Sequence, residues 1–550
     1  MNINLGSSVK LKSVRRLFES RDGQAVILLS ILGVSLYIAY LAFGFGMALT
    51  PDSLAYREAA MNLHAGNGLS LRQLSLPPST GFAPFTSWPP LYPSLLSAVM
   101  LVTRLPVDTS ATLLSSLSLA ASGVLLFLIA RYAMASVYAL LLALVFLLHT
   151  STLTIHSYMW SEGIFVALML GSLLCALKAR GHFRSSADRE GWLFLMASVG
   201  LVVLAAHARY IGAAFLIFPL TSAYYSDSRP RTRLVRSVAV SAGYGLSMLP
   251  LLIRNYWLTG HLSGIGRPNS GKALTENLAD LAAALKYQFL DFAPTATVML
   301  VAVVLLILVL AVLDYKTRDN RTVIEKDVST GLILYAVGGI CSYYTLLIAL
   351  RTWKTFDSID TRLVSPGVVL GLLFLFAINI RFSRNYPDWK KRVVILLPIL
   401  LFSTLSTAKG YLKLMESHNA WRVIGSPVFI ASRSMVYSNF NNARLKNKFQ
   451  KARRSLAGEN QSLVVYSDRP RILAYLMDQP VYRMPYGRLD NDRVAILNEK
   501  GKNGVIVIMT RSGFFTMYKA YGRRLEGLNI GKELKLRGLM VIRLPLPVAG

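Results

Sequence analysis

Residues 50–92 read TPDSLAYREAAMNLHAGNGLSLRQLSLPPSTGFAPFTSWPPLY. This is the first long polar interruption after the first hydrophobic stretch, and its position decides how the rest of the chain is threaded. Asp52 falls within a few residues of the end of an apolar run. A carboxylate at the mouth of a membrane helix is costly to dehydrate, so it faces water or a partner and is a candidate functional group. Followed by Ser53, it is equally a good N-cap for the helix expected over AYREAAMNLHAG, and sequence leaves both roles open. Tyr56, Arg57, Glu58 and His64 follow on that helix, then a Gly/Ser/Pro-rich segment, then Trp88-Pro89-Pro90-Leu91-Tyr92-Pro93.

Composition sets the class. The 550 residues are 53% hydrophobic and only 16% charged, far from a soluble average and fitting an α-helical polytopic membrane protein. A net charge of +31 could suggest nucleic acid, but the basic residues are spread between hydrophobic spans and over a tail, beside no nucleic-acid motif. No nucleic-acid partner is expected; membrane lipids are. Cys175 and Cys341 both fall inside expected spans and imply no disulfide framework.

The basic residues also orient the chain. Lys10, Lys12, Arg15, Arg16 and Arg21 place the N-terminal segment in the cytoplasm, so the first span, 25–49, runs outward and the Asp52 loop lies outside. Residues 91–105 are apolar but short of the about twenty that a span needs, with Pro93 in the first turn. They are expected to form an interfacial or re-entrant helix. Spans over 108–130 and 136–148 follow. Four basic clusters, around Arg184, Arg231, Arg318 and Lys390, then all fall on the inner side. Treating 91–105 as a full span would invert all four. About eleven spans result, the last near 393–406, with residues 254–294 as one long outer loop and the C-terminus outside.

Hydropathy changes near residue 410. The expected division is a transmembrane catalytic domain over 1–410 and a small extracytoplasmic α/β domain over 411–550, with strand-like runs at 463–466, 504–509 and 539–544. Helices are expected over 469–477 and 513–521. The basic run from Arg444 to Arg454 reads as a solvated helix face or a contact with acidic headgroups.

On this topology the outer boundary collects Asp52, Glu58, His64, His156, Glu162, His207, Arg209, Tyr210, Arg254, Asn255, Arg267, Lys272, Arg351, Lys354, Asp357, Asp360 and Arg362. A few carboxylates among many cations suit transfer from a lipid-linked sugar phosphate: a carboxylate deprotonates an acceptor, and guanidiniums stabilise phosphate charge on the leaving group. There is no Gly-rich P-loop, HExxH, GxSxG or zinc-spaced Cys/His pair, so ATPase, zincin and serine hydrolase chemistry lack support. Asp52 stands outside any D-x-D pair; a divalent metal is possible but not indicated. Asp357 and Asp360 lie three apart, and pairing with the nearby cations competes with a catalytic role for them.

Several stretches together resemble bacterial GT-C superfamily glycosyltransferases, the group containing protein O-mannosyltransferases and lipid A aminoarabinose transferase. The first outer loop, PDSLAYREAAMNLHAGNGLS with PFTSWPPLYPSLLSAV, resembles theirs; so do Trp160-Ser161-Glu162-Gly163-Ile164-Phe165, His207-Ala208-Arg209-Tyr210-Ile211-Gly212, Ile359-Asp360-Thr361-Arg362-Leu363-Val364-Ser365-Pro366 and, near the C-terminus, 465–470 with 475–480. Leu363 departs from the pattern, standing where a Tyr commonly follows the Arg. The resemblance implies an inverting, polyprenyl-phosphate-dependent transferase in the inner (plasma) membrane. Its site and C-terminal domain would face the extracytoplasmic side, and its acceptor would be an unspecified lipid, protein or polysaccharide. It implies Asp52 and Glu162 as catalytic carboxylates. It implies Arg209, Arg254 and Arg362 as holders of the lipid phosphate, and Tyr56, His64, Tyr210, Lys354 and Asp360 complete the expected substrate-binding set. A transporter or flippase for a lipid-linked or anionic envelope precursor is the alternative. It would favour paired repeats and spans broken near the midplane, neither of which is clear here.

Overall fold

A computed structural model of the chain describes residues 49–72, 81–134, 136–225, 229–290, 323–355 and 359–383. It also describes scattered residues between 23 and 47, four strands between 464 and 544, and the single residues Gln450 and Leu473. Two compact units result, one comprising residues 1–41, 86–92 and 113–414, the other residues 42–85, 93–112 and 415–550. Each is described by itself.

The described elements run in order α1 (Pro51–His64), β1 (Ser70–Arg72), β2 (Phe82–Pro84), α2 (Leu91–Thr103), α3 (Val107–Arg131), α4 (Ser136–Leu148), α5 (Thr150–Ser157), α6 (Glu162–Arg184) and α7 (Asp188–Ala208). A 3-10 helix (Tyr210–Leu216) leads into α8 (Ile217–Tyr225), followed by α9 (Pro230–Thr259), α10 (Leu274–Leu290), α11 (Val323–Trp353) and α12 (Thr361–Ser383). Four strands close the described chain: β3 (Val464–Ser467), β4 (Val481–Arg483), β5 (Val505–Thr510) and β6 (Leu539–Leu544).

The larger unit is a bundle of apolar helices. Among the described residues six helices are long and apolar enough to cross a membrane, or seven if α4 and α5, bent by 50° at His149, count as one span. This is a multi-pass membrane protein. The spans expected near 25–49 and 393–406, and one between 294 and 316, fall largely or wholly outside the described residues, as do the basic run 444–454 and, apart from helical Leu473, the helices expected over 469–477 and 513–521. The 136–148 span is continued, after a bend, by α5. One expectation needs correction. The outer loop expected over 254–294 contains the last turns of α9 and all of α10, because LTENLADLAAALKYQFL carries apolar residues at helical spacing.

Helix α6 occupies the middle because it is apolar on nearly every side. In lipid the apolar effect gives helices no reason to associate, so small residues and hydrogen bonds set the contacts. Ser172 of α6 and Ser198 of α7 meet hydroxyl to hydroxyl at 2.9 Å, and the Ser222 hydroxyl of α8 donates to the Ala176 carbonyl at 3.0 Å. Phe165, Phe215 and Tyr343 then form an aromatic core, the last two stacked with centroids 5.5 Å apart. Helix α9 instead leaves Leu234, Val238, Leu246 and Trp257 exposed.

The bundle has two polar ends. At one, the Arg236 guanidinium lies 3.6 Å from the Phe183 ring centroid and 3.1 Å from the Asp188 carboxylate, and Arg381 donates to the Thr330 hydroxyl. At the other lie the first turns of α6 and α12 and the last turns of α7, α9 and α11.

In the second unit, α1 is capped by Thr50: extended there (φ −120°, ψ 172°), it accepts from the Ser53 N–H through its hydroxyl. Pro51 at the first helical position, with no N–H to satisfy and φ already set, leaves the cap to the residue before it. The alternative that Asp52 is the N-cap is therefore overturned; Asp52 lies in the first turn. Helix α1 is pinned by its other polar residues. Arg57 forks onto Asp108 at 3.0 and 3.2 Å, Glu58 accepts from the Arg72 N–H, and Asn62 donates to the Ser70 carbonyl. Helix α2 has 13 residues, short of a span. In the four-stranded sheet the order is β4-β3-β5-β6, with β3 parallel to both neighbours and β6 antiparallel to β5. All three expected strand runs are present; β4 was not expected.

Candidate active site

Glu162 opens α6, and its side chain is only 2% exposed. Buried charge is tolerated where it is paired, and an anion is further stabilised at a helix N-terminus. Both conditions are met. Arg209 Nη1 donates to Glu162 Oε1, and Arg362 Nε lies 3.4 Å from the same oxygen. Ser161 Oγ reaches Oε2 at 3.5 Å.

Each arginine is placed by a local backbone device. Arg209 caps the C-terminus of α7 in an extended conformation (φ −153°, ψ 125°), after which the chain turns back as a 3-10 helix. That turn requires Gly212: a Cβ there would sit 2.6 Å from the backbone of Ala205 and Ala206. Arg362 is the second residue of α12. Asp360 starts that helix by accepting the Leu363 N–H at 3.1 Å, and lies 4.0 Å from the Arg362 guanidinium. Pro366, four residues after Arg362, has no N–H to offer the Arg362 carbonyl, and the Ser365 hydroxyl takes that place at 2.9 Å. Arg362 also rests over Trp160, 5.3 Å from its centroid, and Trp160 stacks on Tyr158 at 4.2 Å. Tyr343, buried beneath, donates to the Leu363 carbonyl at 2.8 Å.

A polar chain links this cluster to α9. Tyr210, next to Arg209, accepts from Asn255 Nδ2 at 2.8 Å, and Arg254 Nη1 donates to Asn255 Oδ1 at 3.2 Å. Helix α9, too, carries a proline, Pro250, four residues before its arginine. Three guanidiniums thus gather with one buried carboxylate and one exposed one, where α6 and α12 also point their positive ends. Such an arrangement holds an oxyanion and stabilises negative charge growing on it.

The expected residues are therefore distributed as follows. Glu162, Arg209 and Arg362 meet directly, with Tyr210, Arg254 and Asp360 adjoining. Lys354 donates to Asn269 Oδ1 at 2.9 Å, where the α9–α10 connection runs antiparallel to the end of α11. Asp52, Tyr56 and His64 belong to the other unit: Asp52 is half-buried, Tyr56 is buried with its ring 6.2 Å from that of Phe85, and His64 is exposed. His156 and His207 each turn Nδ1 back onto the carbonyl four residues earlier. Asp357 lies outside the described residues. Among those described, no three His, Cys, Asp or Glu gather as a metal site. Asn277 and Asp280 were not anticipated, since they lie in a stretch expected to be loop, although its apolar spacing is helical; Gly212 belongs to the turn expected over residues 207–212.

No family model and no curated protein matches the sequence. Solved structures do. A crystal structure of ArnT from Cupriavidus metallidurans bound to undecaprenyl phosphate superposes with a TM-score of 0.56, covering 96% of this chain and 100% of that one at 12% identity. The chain has the fold of ArnT. The apo ArnT structure gives a TM-score of 0.54 at 12% identity, over 96% of this chain and 99% of that one. At such identity the likeness is one of fold.

Proposed function

We propose that this chain transfers a sugar from a polyprenyl-phosphate-linked donor to an acceptor on the extracytoplasmic side of the plasma membrane. The observation that carries it is the buried carboxylate of Glu162 bracketed by Arg209 and Arg362 where two helices begin. A single carboxyl oxygen contacts both guanidiniums, and guanidiniums are the side chains that bind phosphate by forked, charge-assisted hydrogen bonds. Glu162 is then the acid that positions the clamp. Arg254 joins it through Asn255 and Tyr210. The basic inner loops support the orientation, and the undecaprenyl phosphate in the ArnT structure supports the lipid.

In the proposed reaction an acceptor oxygen attacks the anomeric carbon from the face opposite the phosphate. The bond between that carbon and the phosphate oxygen breaks, its electron pair stays on the phosphate, and the arginines stabilise the charge that develops. The proton leaving the acceptor goes to Asp52. Its half-burial in the first turn of α1 supports this role, and so does the cap at Thr50, which removes the simplest structural reason for a carboxylate there.

Purified protein given synthetic undecaprenyl-phosphate sugars and candidate acceptors should release undecaprenyl phosphate. Asp52→Asn should lower turnover roughly a hundredfold or more with donor binding unchanged, because the amide keeps the shape and loses the base. Arg209→Ala, Arg254→Ala and Arg362→Ala should each weaken donor use. A fully active Asp52→Asn enzyme would remove the base assignment; wild-type protein that binds no lipid phosphate would remove the function.

A further inference from the structure

Away from the Glu162 cluster, α10 and the end of α11 enclose a second set of polar groups. Arg351 is 97% buried, its side chain being 3% exposed; its Nη2 lies 3.4 Å from Asp280 Oδ2, and its Nη1 is buried with no hydrogen-bond partner. Asn277, one turn before Asp280 on α10, is wholly buried; its amide nitrogen donates to Thr352 Oγ1 and to the Ala273 carbonyl, both at 3.2 Å, while its Oδ1 is buried without a partner. Positions three apart on a helix are neighbours, about 5–6 Å between Cβ atoms. Arg351 and Thr352 are consecutive, so the unmet donor and the unmet acceptor sit in one small region. Asp280 is one-third exposed and also receives Lys272 Nζ at 2.7 Å, so the buried pair borders an exposed carboxylate.

Buried polar groups in native proteins are nearly always satisfied, and this pair specifies what satisfies them. Asn277 Oδ1 needs a donor, which an anion such as phosphate lacks. Arg351 Nη1 needs an acceptor, which an ammonium lacks. Asp280 already balances the Arg351 charge. A neutral hydroxyl meets all three conditions.

We propose that Arg351 and Asn277 form a hydroxyl-binding subsite that recognises the sugar of the glycolipid. This rests on the function proposed above and adds to it a sugar-reading element distinct from the arginines that hold phosphate. Arg351 donates to a ring hydroxyl, which in turn donates to Asn277.

The test is binding of undecaprenyl phosphate, and of a panel of its hexose and pentose derivatives, to purified full-length protein in detergent. Wild type should bind at least one glycosylated lipid more tightly than undecaprenyl phosphate itself. Asn277→Leu should reduce that preference roughly tenfold, the scale of one buried hydrogen bond, while leaving undecaprenyl phosphate affinity unchanged. Arg351→Lys, which keeps the charge on Asp280 but removes Nη1, should do the same and decides the matter if Asn277→Leu fails to fold. An unchanged preference in the folded variants would mean that the pair holds a structural water, and would overturn the subsite. So would a wild type that binds undecaprenyl phosphate but prefers no glycosylated lipid. Wild type that binds no lipid phosphate overturns instead the function on which the subsite rests.

Discussion

The two polar ends of the helix bundle both contain an arginine paired with a carboxylate, and the pairs are built in opposite senses. At one end the cation is the buried partner: Arg236 is 3% exposed against the Phe183 ring, and its carboxylate, Asp188, is 65% exposed. At the other the anion is buried, and two arginines surround it. A buried cation with an exposed counter-ion fastens helices together and asks little of the counter-ion. A buried anion wrapped in guanidiniums faces cations toward whatever approaches, and makes an anion-binding surface out of a structural pair.

Replacing the buried anion gives the largest expected effect. Glu162→Gln removes the buried charge that Arg209 and Arg362 share, and should cost about 3–5 kcal/mol in unfolding free energy, measured by denaturation in mixed detergent. If it is as mild as a change at Asp188, the contrast between the ends fails. Gly212→Ala comes next: the added methyl meets the α7 backbone, should cost about 1–3 kcal/mol, and should impair donor use because Arg209 shifts with the turn. Asp188→Asn, at the opposite end, should cost less than about 1 kcal/mol, as exposed partners usually do, and should leave transfer intact.

The smallest effect sharpens the picture within the anion-first end. The Lys272 hydrogen bond, with the Lys272 and Arg351 charges, holds the Asp280 carboxyl below its usual range against a weaker opposing effect of burial. Because the folded value is depressed, the stabilisation is complete above the ordinary aspartate value of about 3.9 and is lost as pH falls through the lowered one. Asp280→Asn should therefore flatten the acid limb of a stability–pH curve below about pH 4, by lowering stability in the neutral region while leaving the acid end little changed. An unaltered acid limb would detach Asp280 from its two cations.

Much of this end was legible as single residues. Glu162, Arg209 and Arg362 each announced themselves by standing at an expected span boundary, and the basic loops indicated which boundary. Their meeting was not legible, because residues 47 and 200 apart in sequence come together only through the packing of α6, α7 and α12. Asp280 and Asn277 are harder to read for a related reason: they lie on α10, whose apolar spacing is interrupted by Glu276, Asp280 and Lys286 and so resembles an outer loop. The cap of α1 was within reach, since a proline at the first helical position points to the residue before it, and Thr50 was there.

The prolines of α9 and α12 give the arginine end a mechanical character. Pro250 and Pro366 each stand four residues from a site arginine, one full helical turn. At Pro366 the ladder is closed by a serine hydroxyl instead of a main-chain amide. The first turn of α12 is therefore joined to the rest of the helix by one main-chain hydrogen bond fewer, and Arg362 is held in it from the side, by the carboxylates of Glu162 and Asp360 and the ring of Trp160.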